Sequence, residues 1–258
     1  MNNIYIYDGG FISFISLVVE LFKRKIIPDD IKLADSYEIG LFDKEVFLKV
    51  ESEKQNIELI KKKLSKEALY CIYNVFLSNN KNKEMIIYDF LINYFKYKNK
   101  VFGMIRIASV NESIKISKYV REETHKLKGF LRFKKMKNNF YYGEISPTNN
   151  VIGFLSNHFR KRLKEDYWII KDTDRGIYAI YDKKKVIYLT KDEVISLNLE
   201  SSDSEELIED LWKTFHKTVA IASRENRRCQ QNFMPKKYWK NMLEMEDEIW
   251  KKWLVEKN

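Results

Sequence analysis

The chain has 258 residues, 45 % of them hydrophobic, and a net charge of +10 at pH 7. This hydrophobic fraction is large enough for a buried core, which excludes a largely disordered chain, and the 8 glycines argue against a Gly-rich phosphate-binding loop. The excess of Lys and Arg indicates an anionic partner such as nucleic acid or a membrane surface, although an AT-rich coding bias would produce the same excess.

The first part of the chain alternates between strand and helix patterns. Apolar residues at helical spacing, Phe14, Leu17 and Leu21 among them, predict a helix directly after an alternating Ile/Tyr strand. The polar stretch 78–84 has the composition of a loop, so we expect a domain boundary at residues 82 and 83. The predicted strands are 3–9 and 43–51, and the predicted helices are 11–25, 54–64, 66–77 and 85–97.

Neither a membrane segment nor a cofactor site is predicted. The apolar run 11–22 contains Glu20 and is too short to span a bilayer, and it lacks the basic segment and cleavage site of a signal peptide. Cys71 and Cys229 lie far apart, and the absence of a CxxC motif argues against a zinc ribbon or an iron–sulfur cluster. A reduced, cytoplasmic protein without cofactor is the expectation.

The second part of the chain predicts short strands and longer helices. We expect an α+β, or mixed α/β, protein with short sheets packed against several helices and a C-terminal helical pair. Residues 1–82 would form an N-terminal strand–helix region, and residues 83–258 a basic α+β domain. The predicted helices are 113–128, 151–163, about 204–228 and one from Pro235 onward, and the predicted strands are 130–134, 140–145, 167–171, 177–181 and 186–189.

The first basic region covers residues 125–137, where Lys and Arg are interleaved with Phe130 and Phe133. Cations that follow phosphates and rings that stack on bases are typical of single-stranded nucleic-acid binding. An amphipathic hairpin with lysines on its solvated side fits the same pattern. The candidate nucleic-acid contacts here are His125, Lys126, Lys128 and Arg132.

Two further basic regions follow. Arg160 and Arg162 lie at the end of a predicted helix, where the helix dipole alone also favours cations. Arg175, in the turn 173–176, could anchor a phosphate or simply pair with Asp172. The third region is a stripe of cations about 22 Å long, from the helical rise, on the predicted helix 204–228, continued across Pro235. Its candidate contacts are Lys213, Lys217, Arg224, Arg228, Lys236 and Lys237. A solvated helix face whose cations are favoured by the helix dipole is the alternative.

Catalytic residues are only weakly indicated. A set of histidines and a carboxylate can transfer protons or bind a metal, but no metal-binding motif such as HExxH is present, so no metal site is predicted. Packing or phosphate contact is the alternative role for each histidine. The candidates are His125, Glu144, His158 and His216.

Several segments together resemble a known family. The chain contains, in this order, "ETHKLKGFLRF", "YYGEISPTNNVIGFLSNHFRKRL", "WIIKDTDRGIYAIYD" and "FMPKKYWK", and its N-terminal segment "YIYDGGF" is similar as well. They resemble the bacterial family described as "probable DNA metabolism protein", whose core is a domain of unknown function.

This resemblance implies a function in DNA repair or base modification. Members of the family are similar in being encoded beside a radical-SAM protein, and some are fused to a uracil-DNA-glycosylase-like domain. We therefore expect a DNA-binding accessory protein that acts with such a partner. An enzyme acting on DNA, either a nuclease or a glycosylase, and a protein–protein adaptor are the alternatives.

Overall fold

The computed structural model describes residues 2–50, 52–136, 140–191 and 238. The predicted C-terminal helical pair and the cationic stripe of the third basic region lie outside these residues. The chain divides into two compact units, Met1–Arg121 and Glu122–Asn258.

The described residues form α-helices and two small sheets, which confirms the predicted α+β class. The helices are α1 (Phe11–Arg24), α2 (Glu53–Lys63), α3 (Lys66–Leu77), α4 (Lys83–Tyr97), α5 (Ala108–Phe130) and α6 (Ile152–Arg162). The strands are β1 (Asn2–Tyr7), β2 (Asp30–Leu33), β3 (Asp43–Val46), β4 (Lys134–Lys135), β5 (Tyr141–Ile145), β6 (Trp168–Asp172), β7 (Ile177–Tyr181) and β8 (Val186–Thr190).

The first unit is built on a three-stranded parallel sheet in the order β2-β1-β3. The central strand β1 ends in four consecutive buried residues, as expected of a strand covered on both faces. Helices α1, α3 and α4 contribute the largest part of the apolar core, which includes Phe14, Ile72 and Phe90. The Tyr7 hydroxyl donates a hydrogen bond to the buried Glu84 carboxylate (2.9 Å), which connects β1 to α4.

The second unit contains a five-stranded sheet in the order β4-β5-β6-β7-β8. Strands β5 and β6 are parallel and are joined through α6, whereas the other neighbouring pairs are antiparallel. The carboxyl ends of β5 and β6 therefore lie side by side at one edge of the sheet. In open sheets, loops that follow such ends commonly form ligand sites.

The segment predicted as strand 130–134 differs in the structure. Helix α5 continues through Phe130, and only Lys134 and Lys135 pair with β5. The helix continues because Leu127 and Leu131, four residues apart, are both buried, and the Leu131 amide donates to the Leu127 carbonyl oxygen (3.0 Å). Phe130, one of the two rings interleaved with the cations of the first basic region, is half-buried.

The strands predicted at 167–171, 177–181 and 186–189 are confirmed within one residue as β6, β7 and β8. Across the described ranges, none of the helices combines the length and the apolar character that crossing a bilayer requires.

Candidate functional site

The loop after β5 and the turn after β6 meet at the carboxyl edge of the second sheet. Ile145 and Asp172, the last residues of the two strands, are paired in register. The Thr173 amide donates to the Ile145 carbonyl oxygen (2.9 Å), and the hydroxyls of Ser146 and Thr173 lie 2.7 Å apart. The loop 146–150, with the sequence SPTNN, is thereby fixed to the turn 173–176.

Arg175 connects the turn to the loop. Its guanidinium donates to the Asp172 carboxylate (3.1 Å) and to the carbonyl oxygens of Pro147 (3.1 Å) and Thr148. The fully buried Asp172 also accepts the backbone amides of Asp174 and Arg175 (both 3.1 Å). Burial raises the pKa of Asp172, although the Arg175 charge and these hydrogen bonds act in the opposite direction. Of the two roles that the sequence allowed for Arg175, the structure shows the pairing with Asp172.

Glu123 fixes the same loop from the other side. Its side chain projects from α5 and is buried, with 3 % of the residue exposed. The carboxylate accepts the backbone amides of Thr148 (2.8 Å) and Asn149 (2.9 Å), the side-chain amide of Asn149 (2.6 Å) and the hydroxyl of Tyr238 (2.6 Å). A buried carboxylate needs several such donors to offset its lost hydration.

These contacts bring three of the recognised sequence segments together at one carboxylate. We name the assembly of Glu123, loop 146–150, Asp172–Arg175 and Tyr238 the carboxyl-edge network. In this network the Glu123 carboxylate accepts hydrogen bonds from backbone N–H groups of the loop. The Arg175 guanidinium donates hydrogen bonds to carbonyl oxygens of the same loop. Such an arrangement orders a loop, because backbone N–H donors and backbone C=O acceptors both have hydrogen-bond partners.

A second feature lies at the opposite edge of the sheet, where Trp168 pairs with Tyr181. The Tyr181 hydroxyl lies within hydrogen-bonding distance of the carbonyl oxygens of Lys164 (3.3 Å) and Lys183 (3.0 Å). It therefore connects the chain after α6 to the turn between β7 and β8. The Asp182 carboxylate shapes that turn by accepting the amides of Lys184 (2.9 Å) and Lys185 (2.7 Å). The three turn lysines, 183–185, are exposed.

His158 marks the place where two of the predicted basic regions converge. The half-buried ring lies edge-on to Phe159, with centroids 4.9 Å apart. Burial lowers the pKa of His158, and the positive charges of Lys128 from α5 and Arg162 from α6 lower it further. Within the described ranges, neither Lys128 nor Arg162 forms an ion pair.

We name this surface the basic edge. Its members share positive charge or the ability to acquire it, and they come from α5, from α6 and the residues just after it, and from the β7–β8 turn. They are Lys128, His158, Arg162, Lys164, Lys183, Lys184 and Lys185.

The other predicted site residues have separate environments. The Arg132 guanidinium donates to the Gly129 carbonyl oxygen (2.6 Å), and the Arg160 guanidinium to the Asn157 side chain (3.2 Å). His125 is exposed and Lys126 half-buried on α5. Glu144 accepts the Tyr142 hydroxyl (2.6 Å) and lies 3.6 Å from the Lys171 ammonium. The predicted residues outside the described ranges are His216, Lys213, Lys217, Arg224, Arg228, Lys236 and Lys237.

Where the chain is described, no three His, Cys, Asp or Glu side chains are grouped so that they could hold a metal ion. Glu123 and the turn lysines 183–185 are not among the residues predicted from the sequence. Glu123 had a readable signal, because it lies three residues after Val120 and four before Leu127, both buried. An acid at a core position of an amphipathic helix predicts a buried polar contact.

No curated protein matches the chain. The model of the family "domain of unknown function DUF4130" matches residues 81–244, which is more than half of the chain and contains both edges of the second sheet. The chain therefore belongs to the DUF4130 family.

Proposed function

We propose that the chain binds DNA through the basic edge and acts as an accessory protein to a DNA repair or base-modification enzyme. The observation that carries the proposal is that the positive charges of Lys128 and Arg162 both act on His158, which relates two basic regions that are separate in the sequence. Cations such as Lys128 and Arg162, which form no ion pair within the described ranges, are suited to neutralising phosphates.

The electrostatic argument supports a polyanion, and the choice of DNA rests on the resemblance of the motifs to the "probable DNA metabolism protein" family. The same resemblance supports a radical-SAM or uracil-DNA-glycosylase-like partner. In this proposal the carboxyl-edge network positions α5, β5 and β6 relative to one another, so that the basic edge has a fixed shape before it meets DNA.

A salt titration tests the proposal. The affinity of the full chain for a fluorescent DNA oligonucleotide would be measured by anisotropy at several salt concentrations. We expect the logarithm of the association constant to fall steeply with the logarithm of salt concentration. The double variant Lys128→Ala/Arg162→Ala should reduce that slope by roughly 1–2, as expected when two phosphate contacts are lost.

The matched control is Lys62→Ala/Lys63→Ala, which removes the same charge from exposed positions in the last turn of α2. A salt slope near zero for the unmodified chain would reject DNA binding. An equal loss of slope in both double variants would reject the basic edge as its location, because net charge alone would then explain the affinity.

A further inference from the structure

An apolar pocket lies in the first unit between α1, α2 and α3. It has a volume of about 400 Å³, within the range of roughly 300–1,000 Å³ typical of small-molecule sites. The lining residues lie between positions 11 and 73, whereas the DUF4130 match covers residues 81–244. The pocket is therefore separate in sequence from the family match and from the basic edge.

The walls of the pocket are fixed by the core. Ile60, which is 2 % exposed, and the partly buried Ile57 and Leu69 contribute aliphatic surface. On the other side the Phe11 ring packs edge-on to Tyr73, with centroids 5.1 Å apart, and also to Phe76 at 5.3 Å. Rings held in this way keep their positions without a ligand, so the concavity is preformed.

Two exposed lysines, Lys61 and Lys66, complete the lining. Lys61 belongs to the last turn of α2, where the helix dipole favours a cation. Lys66 is the first residue of α3, where the same dipole disfavours a cation. Helix stability therefore does not explain Lys66, and within the described ranges neither lysine forms an ion pair.

We infer that this pocket binds a small amphipathic anion, a molecule with an apolar body and one carboxylate-like group. The apolar body would occupy the space between Phe11, Ile60 and Leu69, and the anionic group would meet Lys61 and Lys66. A preformed apolar cavity with a few charged groups is the usual design of such sites. The inference is independent of the proposed DNA binding.

Two fluorescent probes that differ by one charge test the inference on the full chain. 1-Anilinonaphthalene-8-sulfonate carries an anionic group on an apolar body, and N-phenyl-1-naphthylamine is its neutral counterpart. We expect both to bind with one-to-one saturation. The variant Lys61→Gln/Lys66→Gln should weaken the anionic probe about tenfold and change the affinity of the neutral probe less than twofold.

Lys62→Gln/Lys63→Gln is the control, since it removes the same charge from the neighbouring exposed positions. A second variant, Ile12→Glu, places a carboxylate on a lining residue that is 52 % exposed, so it leaves the core unchanged. It should weaken the anionic probe at least threefold relative to Ile12→Gln. Absence of saturable binding, or equal losses in the two lysine pairs, would overturn the inference while leaving the DNA proposal unaffected.

Discussion

Glu123 connects α5 to loop 146–150 and to Tyr238. From the described residues its carboxylate accepts the backbone amides of Thr148 and Asn149, the Asn149 side-chain amide and the Tyr238 hydroxyl, and almost none of it is exposed. Glu123→Gln keeps the volume but replaces one acceptor oxygen with a donor, which would face donors already in place. We expect a loss of about 1–3 kcal/mol in the free energy of unfolding, measured by urea denaturation.

Glu112→Gln is the matched control, because Glu112 is an exposed acid on the same helix. That variant should change the free energy of unfolding by less than about 0.5 kcal/mol. Tyr238→Phe removes one donor to Glu123, so its effect should couple with that of Glu123→Gln in a double-mutant cycle. Strict additivity of the two changes would contradict the network described above.

His158 gives the proposed DNA binding a pH dependence. Because the pKa of His158 is lowered in the folded chain, its contribution to stability is present above the ordinary histidine pKa of about 6.5 and is lost as pH falls below it. A bound phosphate favours the protonated ring. The affinity for DNA should therefore rise as pH falls from about 7.5 to about 5.5, by roughly two- to fivefold, the equivalent of a surface ion pair.

Anisotropy titrations of His158→Gln and His125→Gln at both pH values would check this prediction. The first substitution should remove most of the pH effect, because the His158 ring is exposed to the positive charges of both Lys128 and Arg162. The second concerns an exposed histidine on α5 and should preserve the effect. The reverse result would assign the titrating contact to His125.

At the scale of single residues, the sequence predicts which charged side chains belong to a site better than it predicts their hydrogen-bond partners. Lys128 and Arg162 were identified from charge alone, and the position of Glu123 on the apolar face of α5 was open to prediction. The partners of Glu123 were not, because residues 148 and 149 reach it through the loop after β5, and Tyr238 lies 115 positions away in the sequence. Local patterns contain no information about which loops a parallel pair brings together.

Strand β5 packs closely against residues 131–133 at Gly143. A Cβ atom at Gly143 would lie 2.7 Å from a Leu131 methyl carbon and 3.0 Å from the Arg132 carbonyl oxygen. The second contact is with backbone, so a side-chain rotation cannot relieve it. Gly143→Ala should therefore lower the free energy of unfolding by about 1–3 kcal/mol, measured by urea denaturation.

Gly153→Ala in α6 is the control. There the nearest atom to an added Cβ is the Tyr188 hydroxyl at 4.0 Å. Alanine also favours helix, so stability should stay the same or rise by up to about 1 kcal/mol. A Gly143→Ala variant as stable as Gly153→Ala would show that β5 can move away from the 131–133 segment.

Element prediction succeeded where local signals agree and failed where tertiary contacts decide. Helix α3 was predicted at its observed bounds, and its Ser65 N-cap accepts the Ala68 amide (3.2 Å). Strand β2 was missed because it has four residues with polar Asp30 and Lys32, and it exists through parallel pairing with β1. The extension of α5 to Phe130 likewise depends on the burial of Leu131, which the aromatic and basic pattern of that segment does not reveal.

Two boundaries divide the whole molecule differently. The family match begins at residue 81, close to the boundary predicted at residues 82 and 83. The compact units instead meet between Arg121 and Glu122. Helix α4 lies between these positions, and its Ile87, Phe90 and Leu91 are fully buried in the core of the first unit. The predicted boundary remains a prediction until the cooperative units of the chain are measured.

Hydrogen exchange on two matched variants would make that measurement. Ile72 in α3 and Ile170 in β6 are both fully buried, so Ile72→Val and Ile170→Val should each cost about 0.5–1.5 kcal/mol. Each substitution should accelerate exchange within its own cooperative unit and much less elsewhere. Because α4 packs in the first core, we expect its amides to respond to Ile72→Val and not to Ile170→Val. If the α4 amides responded to Ile170→Val instead, α4 would belong to the cooperative unit of the second unit, as a boundary at residues 82 and 83 requires. Equal responses throughout would show that the chain unfolds as one unit.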